Sequence, residues 1–467
     1  MASKYLKEFE ELNTTTDSIY DLEEHDVLII LKDGTNLSSW DDVSKKNDVK
    51  YISEDLSSCI DLVEKYKGFR SVKAIVARNV TSEVTSLDGM FYGCYALVDI
   101  VGLDSWDTSN VTDMDNMFFR CSKLKDLSSL KYLDTSNVKS MESMFENCSS
   151  LVDLSPLSGW DTSNVIQMSV MFGDCSSLVD LSPLKDWDTS NVQSIGSMFI
   201  NCSSLEDISA FEYWDLNLVY MAGLFECCSS LADLSPLSDL NVPGSIQGMF
   251  AGCSSLVDIS PLKDWDTSQG VIMNFLFRCC CSLEDISPLK DWNTSNVEYM
   301  NNMFENCPSL NDISPLESWD TSNVAKMDYM FKGCSSIENL YSLKSWDTSH
   351  VEDMREMFRG CSSLEDISSL SDWDISNLKD VRGIFGDCKS LSDISCLNSW
   401  DIFKLNYAGI CSGCSSLTDL SSMNNWFENG GPVVFINVMG KESYSQIQKF
   451  PNGYDHPDWY KRENNLK

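Results

Sequence analysis

Residues 319–345 read WDTSNVAKMDYMFKGCSSIENLYSLKS, and the same pattern begins again at Trp346. Cysteines aligned on this unit recur every 27 residues, apart from two intervals of 26 and one of 25. The aligned cysteines are Cys94, Cys121, Cys148, Cys175, Cys202, Cys228, Cys253, Cys280, Cys307, Cys334, Cys361, Cys388 and Cys414. Such regularity defines a tandem repeat, so we expect one repeat body, although 467 residues would otherwise allow two or three globular domains.

The pattern inside each unit predicts a short helix followed by a short strand. Apolar residues from Val324 to Cys334 fall at offsets 0, 3, 6, 7 and 10, which is the spacing of one helical face. Asp320 and its neighbours could cap such a helix, but a turn followed by a shorter helix fits equally well. The next segment, as in 178–182, ends at a proline and resembles a strand.

A unit of this size cannot bury its apolar face alone, so stacking of successive units is expected. We therefore predict an α/β repeat solenoid of the leucine-rich-repeat kind, with one short parallel strand and one short helix per 27-residue coil and about thirteen coils. Residues 1–78 are predicted to form a mixed α/β cap, with a strand from Val27 and a helix around 56–66. The solenoid should span 79–431, and 432–467 should form a C-terminal cap or tail.

Charge and hydropathy limit the classes of partner. The net charge is −37, with 71 acidic and 34 basic residues, which argues against nucleic acid and favours a cationic partner. The longest apolar run, Val27–Leu31, is far shorter than the roughly 20 residues that span a bilayer, so no membrane insertion is expected. We also see neither an N-terminal secretory signal nor a C-terminal anchor.

Residues suited to catalysis or metal binding are scarce in the sequence. The three histidines, His25, His350 and His456, are far apart, and no nucleophile and base can be paired with them. The cysteine groups 279–281 and 411–414 each contain an aligned cysteine, which favours core packing over zinc. We therefore expect no enzymatic activity, no cofactor and no metal, and buried, reduced cysteines.

Two features are candidate binding sites. The first is a recurrent aspartate in the predicted strand, which could cap turns and solubilise the surface or could bind a partner. The second is the irregular stretch 211–281, where drift of the repeat and a specific site or bend are both open. The candidate binding residues are Asp153, Asp180, Asp207, Asp258, Asp285, Asp312, Asp366, Phe211, Tyr213 and Tyr220.

The repeat resembles that of the BspA-like leucine-rich-repeat surface proteins, in the branch with Asp-Thr-Ser-Asn-Val followed by Met-Phe and Cys-Ser-Ser-Leu. A full copy spans residues 161–178 and contains Met168, Met171, Phe172 and Cys175. The resemblance covers 79 to about 426 and implies a cell-surface or secreted protein that binds ligands in adhesion. The unit here is longer than usual for that family, and the lack of an export signal or wall anchor leaves a cytoplasmic location open.

Two functions follow from these observations. The first is a non-enzymatic binding protein that recognises a protein or glycan with its solenoid surface, in adhesion or another cell-surface interaction. The second is an intracellular acidic scaffold or inhibitor that binds a basic protein. Neither the identity of the ligand nor the oligomeric state follows from the sequence.

Overall fold

The computed structural model of the protein describes residues 27–30, 51–52 and 72–76, and then 82–461 without 96, 102, 217–218, 241, 243, 271, 432 and 457–459. The chain forms two compact units, residues 1–220 and 221–467. Each is built from coils of a repeat solenoid, one coil per repeat. The helix expected around 56–66 lies outside the described residues.

Within the described part of the first unit there are four parallel strands. These are β1 (Val27–Ile30), β2 (Tyr51–Ile52), β3 (Val72–Val76) and β4 (Asp99–Val101), in the order β2-β1-β3-β4. The strand expected at Val27 is therefore present. Because β4 lies in the first repeat coil, the sheet continues directly into the repeats.

Most coils end in a short 3-10 helix that packs a leucine into the core, as Leu184 does in Ser182–Leu184. Ser209–Glu212 buries Ala210 and Phe211 instead. In the first unit these helices are Leu103–Ser105, Leu130–Tyr132, Ser155–Leu157, Ser182–Leu184 and Ser209–Glu212. In the second unit they are Ser235–Leu237, Ser260–Leu262, Ser287–Leu289, Ser314–Ser318, Tyr341–Leu343, Ser368–Asp372 and Ser395–Ser399, followed by Ile402–Lys404.

The α-helix expected between the valine and the aligned cysteine is absent from the described coils, which form consecutive tight turns there. Val170 and Asp174 both have φ of 59°, a left-handed conformation that cannot continue a right-handed helix. Backbone N–H groups of alternate residues donate to the next coil, as Met168 does to Ser194 O at 2.9 Å. The apolar spacing therefore indicated correctly which side chains are buried, but it did not indicate the path of the backbone.

The expected parallel strand is also reduced and displaced. Parallel pairing recurs eight residues before the aligned cysteine, as in the isolated bridges from Ser140 to Gln167 and from Gln167 to Ser194. Within the segment 178–182, a single bridge joins Asp180 to Asp207. Each coil is held to its neighbours by many separate hydrogen bonds in place of a long strand.

Stacked rows of identical side chains form the core of each unit. In the first unit the phenyl rings of Phe118, Phe145 and Phe172 follow one another at centroid distances of 5.3 and 5.5 Å. The Trp160 indole donates to Leu130 O of the preceding coil at 3.1 Å. Such rows bury apolar area that a single coil would leave exposed, and this burial is the main stabilising contribution.

The aligned cysteines belong to this core. All thirteen are buried, and the Cys175 thiol donates to Phe145 O of the preceding coil at 3.2 Å. Burial raises the pKa of the Cys121 thiol well above its usual value, because the interior disfavours the thiolate. The eighteen cysteines of the described part of the chain are all free thiols.

The Asp-Thr-Ser-Asn motif joins neighbouring coils. The Asp161 carboxylate accepts the Ser163 N–H at 3.0 Å and closes a turn. The buried Thr162 hydroxyl donates to Asp188 O of the next coil at 3.0 Å. The Asn164 amide donates to a carbonyl of the preceding coil at 2.7 Å. The motif thus fixes the stacking on both sides and does not cap a helix.

Two α-helices follow the last coil of the second unit, α1 (Asn424–Gly430) and α2 (Val433–Tyr444), the latter interrupted at Gly440. After them, Lys449 pairs with Asp419 of the last coil through a parallel bridge and a 2.7 Å ion pair. No helix among the described residues has the length and apolar character needed to cross a membrane.

Candidate ligand-binding face of the second unit

The seven candidate aspartates all have the same local structure. In each, the carboxylate accepts the backbone N–H of the serine two residues later, at 2.7–2.8 Å, immediately before or within the 3-10 helix. The residues are Asp153, Asp180, Asp207, Asp258, Asp285, Asp312 and Asp366. Their carboxylates therefore have a structural task in every coil, which supports the turn-capping interpretation of this row.

The three aromatic candidates do not form one site. Phe211 is only 5% exposed and packs against Trp214, with ring centroids 4.6 Å apart, so it belongs to the core. Tyr213 and Tyr220 are 65% and 55% exposed. The prediction that Phe211 contacts a ligand is corrected by this burial.

A different surface of the second unit carries closely spaced charged and polar side chains. Residues eight, six and two positions before the aligned cysteine lie on one side of successive coils, from Gln247 to Arg382. We call this surface the polar face. Its middle forms a groove of about 350 Å³. The groove is lined by Gln247, Ile272, Asn274, Tyr299, Asn301, Lys326, Asp328, Asp353 and Arg355.

Stacking of the coils positions these side chains. Parallel bridges join Tyr299 to Lys326 and Lys326 to Asp353. The Met327 N–H donates to Asp353 O at 3.1 Å and the Tyr329 N–H to Arg355 O at 2.9 Å. Equivalent side chains therefore lie one above another, held by a backbone that bonds to the next coil at alternate residues.

Basic residues are concentrated on this face although the chain is strongly acidic. Four of the five arginines among the described residues lie here: Arg278, Arg355, Arg359 and Arg382. Arg278 pairs with the buried Glu305 at 2.9 Å, and Lys332 pairs with Glu356 at 3.0 Å. The charges on the face are thus largely balanced within the fold.

Arg355 lies in the last of the five coils that line the groove. Its guanidinium contacts one oxygen of Asp328 at 3.7 Å and Asp353 at 3.4 Å, and it lies over the Tyr329 ring at 5.3 Å. Burial and the charge of Asp353 raise the pKa of Asp328, while Arg355 opposes that rise. The guanidinium therefore keeps two neighbouring carboxylates together in a partly buried place.

Three buried polar atoms of the groove have no hydrogen-bond partner among the described residues. They are Asp328 Oδ1, Asn274 Oδ1 and Arg355 Nε. Asp328 is only 7% exposed. Buried polar atoms in folded proteins are nearly always paired, so these three atoms, each on a different coil and enclosed by the protein, mark the groove as unusual. A ligand would meet the exposed parts of the side chains that line the groove.

Sequence reasoning missed this face. The aspartate row was chosen because it is regular, but its regularity reflects the needs of every coil. The available signal was the clustering of arginines after residue 277 in an acidic chain. In the described part of the chain, no cluster of three or more His, Cys, Asp or Glu side chains is arranged to hold a metal ion.

Residues 60–178, 128–235, 220–339 and 311–426 each match the model of a family described as "Mycoplasma protein of unknown function, DUF285". Together these overlapping matches cover well over half of the chain, as expected for a model that spans several tandem repeats. No curated protein and no solved structure gives a significant match.

Proposed function

The chain belongs to the DUF285 family, and from this premise we propose that it is a non-enzymatic binding protein whose ligand occupies the groove of the polar face. The observation that carries the proposal is the groove itself, which is about 350 Å³ in volume and lined mostly by polar and charged side chains from five successive coils. A few polar groups that converge on a concave site can fix the orientation of a ligand.

The fold itself does not require polar side chains at these positions. Six residues before the aligned cysteine, where Asp328 stands, other coils carry Gly196, Ala222 and Ala408. These small residues occupy the same place in the stack without any buried charge. The identity of the residue at this position is therefore free to vary, which leaves room for residues that suit a ligand.

We also propose a cell-surface or adhesion role, which rests on the resemblance of the repeat to the BspA-like surface proteins. Stacked coils offer an extended surface on which many weak contacts can add up. Fractionation of cells, with detection of the protein on intact cells, tests this role. Recovery of the protein only from the cytoplasm would contradict it.

A second candidate is an acidic scaffold or inhibitor of a basic protein, and one observation favours it. On the first unit, burial and the nearby charges of Asp113 and Asp88 raise the pKa of Asp115, so this acidic surface would be relieved by a cation. Strong, salt-sensitive binding of polylysine that is weakened by Asp115→Asn would support this candidate.

The binding proposal is tested with arrays of oligosaccharides and peptides probed with the full chain. The double variant Asp328→Ala/Arg355→Ala should lose the interactions of the wild-type chain. The matched control is Asp401→Ala/Lys404→Ala, which removes an exposed 3.1 Å ion pair of the same unit outside the groove. Circular dichroism checks that both variants are folded. If both variants bind as the wild type does, the groove is not the site.

A further inference from the structure

We infer that the ligand of this groove is a neutral carbohydrate, an inference that rests on the proposed function. Ligand classes differ in the groups through which a protein can recognise them. The groove discriminates among these classes through its backbone, the side chains that line it and its charge.

The backbone of the polar face cannot recognise an extended peptide. Peptides that bind beside a strand do so through unpaired main-chain N–H and C=O groups at a sheet edge. Here the Met273 N–H donates to Tyr299 O at 3.0 Å, and the Met300 N–H donates to Lys326 O at 3.1 Å. These groups bond to the next coil, so the ligand must be recognised by side chains.

The side chains that line the groove match hydroxyl groups. Asp328 and Asn274 offer acceptor oxygens. Lys326 and Arg355 offer donors. A hydroxyl both donates and accepts, so the hydroxyls of successive sugar units can bond to side chains of successive coils along the groove. Tyr299 lines the groove beside them and offers an aromatic ring on which the C–H face of a sugar can pack.

Charge favours a neutral sugar over an acidic one. Within the groove, Lys326 and Arg355 are balanced by Asp328 and Asp353. The chain as a whole carries a net charge of −37 and repels polyanions such as sulfated glycans. No excess of positive charge in the groove offsets that repulsion.

Titration calorimetry of the full chain tests the inference. The probes are neutral hexasaccharides of glucose, mannose and galactose, a heparin hexasaccharide, and neutral and basic hexapeptides. We expect at least one neutral hexasaccharide to bind and heparin not to bind. Asp328→Asn should weaken that binding about tenfold or more, because it removes a hydrogen bond from a charged acceptor.

Aromatic variants separate recognition from a loss of structure. Tyr299→Phe should keep most of the affinity and Tyr299→Ala should lose it, while Asp401→Ala/Lys404→Ala stays unchanged. Failure of every neutral hexasaccharide to bind at millimolar concentration overturns the inference. If peptides or heparin bind instead and Asp328→Ala/Arg355→Ala abolishes that binding, the carbohydrate is wrong and the proposed function stands. If every probe that binds the wild-type chain binds Asp328→Ala/Arg355→Ala equally well, the proposed function itself fails.

Discussion

The same three positions of the coil carry different chemistry in the two units. In the first unit, Asp115 accepts hydrogen bonds from the Ser140 hydroxyl and the Glu142 N–H. In the second unit, Asp380 is paired with Arg382 at 2.7 Å. The backbone beneath is alike in both, with alternate N–H groups donating to the next coil. The comparison teaches that the stacking fixes where side chains lie and leaves their chemistry free to vary.

The largest expected effect tests whether the cores of the two units are equivalent. Phe145→Ala in the first unit and Phe304→Ala in the second should each lower the free energy of unfolding by about 3–5 kcal/mol, since both rings are fully buried. Urea denaturation followed by tryptophan fluorescence measures the loss.

The control is Phe119→Ala, because Phe119 is only partly buried and stacks on Tyr92 at 4.7 Å. Phe119→Ala should lower the free energy of unfolding clearly less than Phe145→Ala or Phe304→Ala does. Hydrogen exchange should show the damage in the mutated coil and its neighbours, because each coil contacts only those beside it. If hydrogen-exchange protection fell equally in every coil of both units, the damage would not be confined to the mutated coil and its neighbours, and this prediction would be wrong.

A smaller effect concerns the left-handed turn five residues before the aligned cysteine. Val170 is β-branched and has φ of 59°, whereas Gly248 of the second unit has φ of 61° at the equivalent position. Val170→Gly should therefore raise the stability of the first unit by about 1 kcal/mol, because it relieves a left-handed conformation that valine disfavours.

Thermal unfolding measures this gain, and Val152→Gly is the control, since Val152 is exposed and is not among the residues with positive φ. A lower melting temperature for Val170→Gly would show that packing of the valine side chain outweighs the strain. The two units would then differ in how their turns are stabilised.

The smallest effect is a pH dependence of opposite sign in the two units. Burial raises the pKa of Asp115, so its contribution favours folding most at low pH and is lost as pH rises above the unfolded value near 3.9. Burial alone would also raise the pKa of Asp380, but its hydrogen bonds with Arg382 lower it. The contribution of Asp380 is present above the unfolded value and is lost as pH falls through the folded one.

Asp115→Asn should therefore stabilise the protein slightly at pH 7, and Asp380→Asn should destabilise it, each by less than about 1 kcal/mol. The difference for each variant should shrink as the pH falls from 7 towards 3, with Asp115 gaining its proton before Asp380. Melting curves at pH 3 and 7 provide the measurement. Equal signs for the two variants at pH 7 would show that the arginine makes no difference.

The repeat and its buried positions were predictable because apolar residues recur at a fixed period. The backbone path was not, since a helix and a series of stacked turns place Val165, Met168 and Phe172 inward alike. A second feature of the sequence could have distinguished a helix from stacked turns. The residue before the aligned cysteine has positive φ in every coil and is Gly, Asn or Asp in ten of thirteen, as at Gly333. Those residue types favour a left-handed turn.

The candidate site was less predictable than the fold. Asp153 and its equivalents were chosen because they recur, yet a residue that recurs in nearly every coil has a structural role in the coil, which here is to close a turn. Asn274, Asp328 and Arg355 belong to three different coils and differ in type, so no linear motif connects them. Only the register of stacking brings them into one groove, and that register depends on hydrogen bonds that the sequence pattern did not reveal.

The hydrogen bonds between coils also determine how each unit would respond to mechanical load. Because bonds such as that from Met327 N–H to Asp353 O link one coil to the next, tension along the stack separates coils one at a time. Each detached repeat would release roughly 90 Å of extended chain, at about 3.4 Å per residue over 27 residues. A tether built in this way lengthens in steps under tension and dissipates work at each step, while the coils not yet detached keep their surfaces intact.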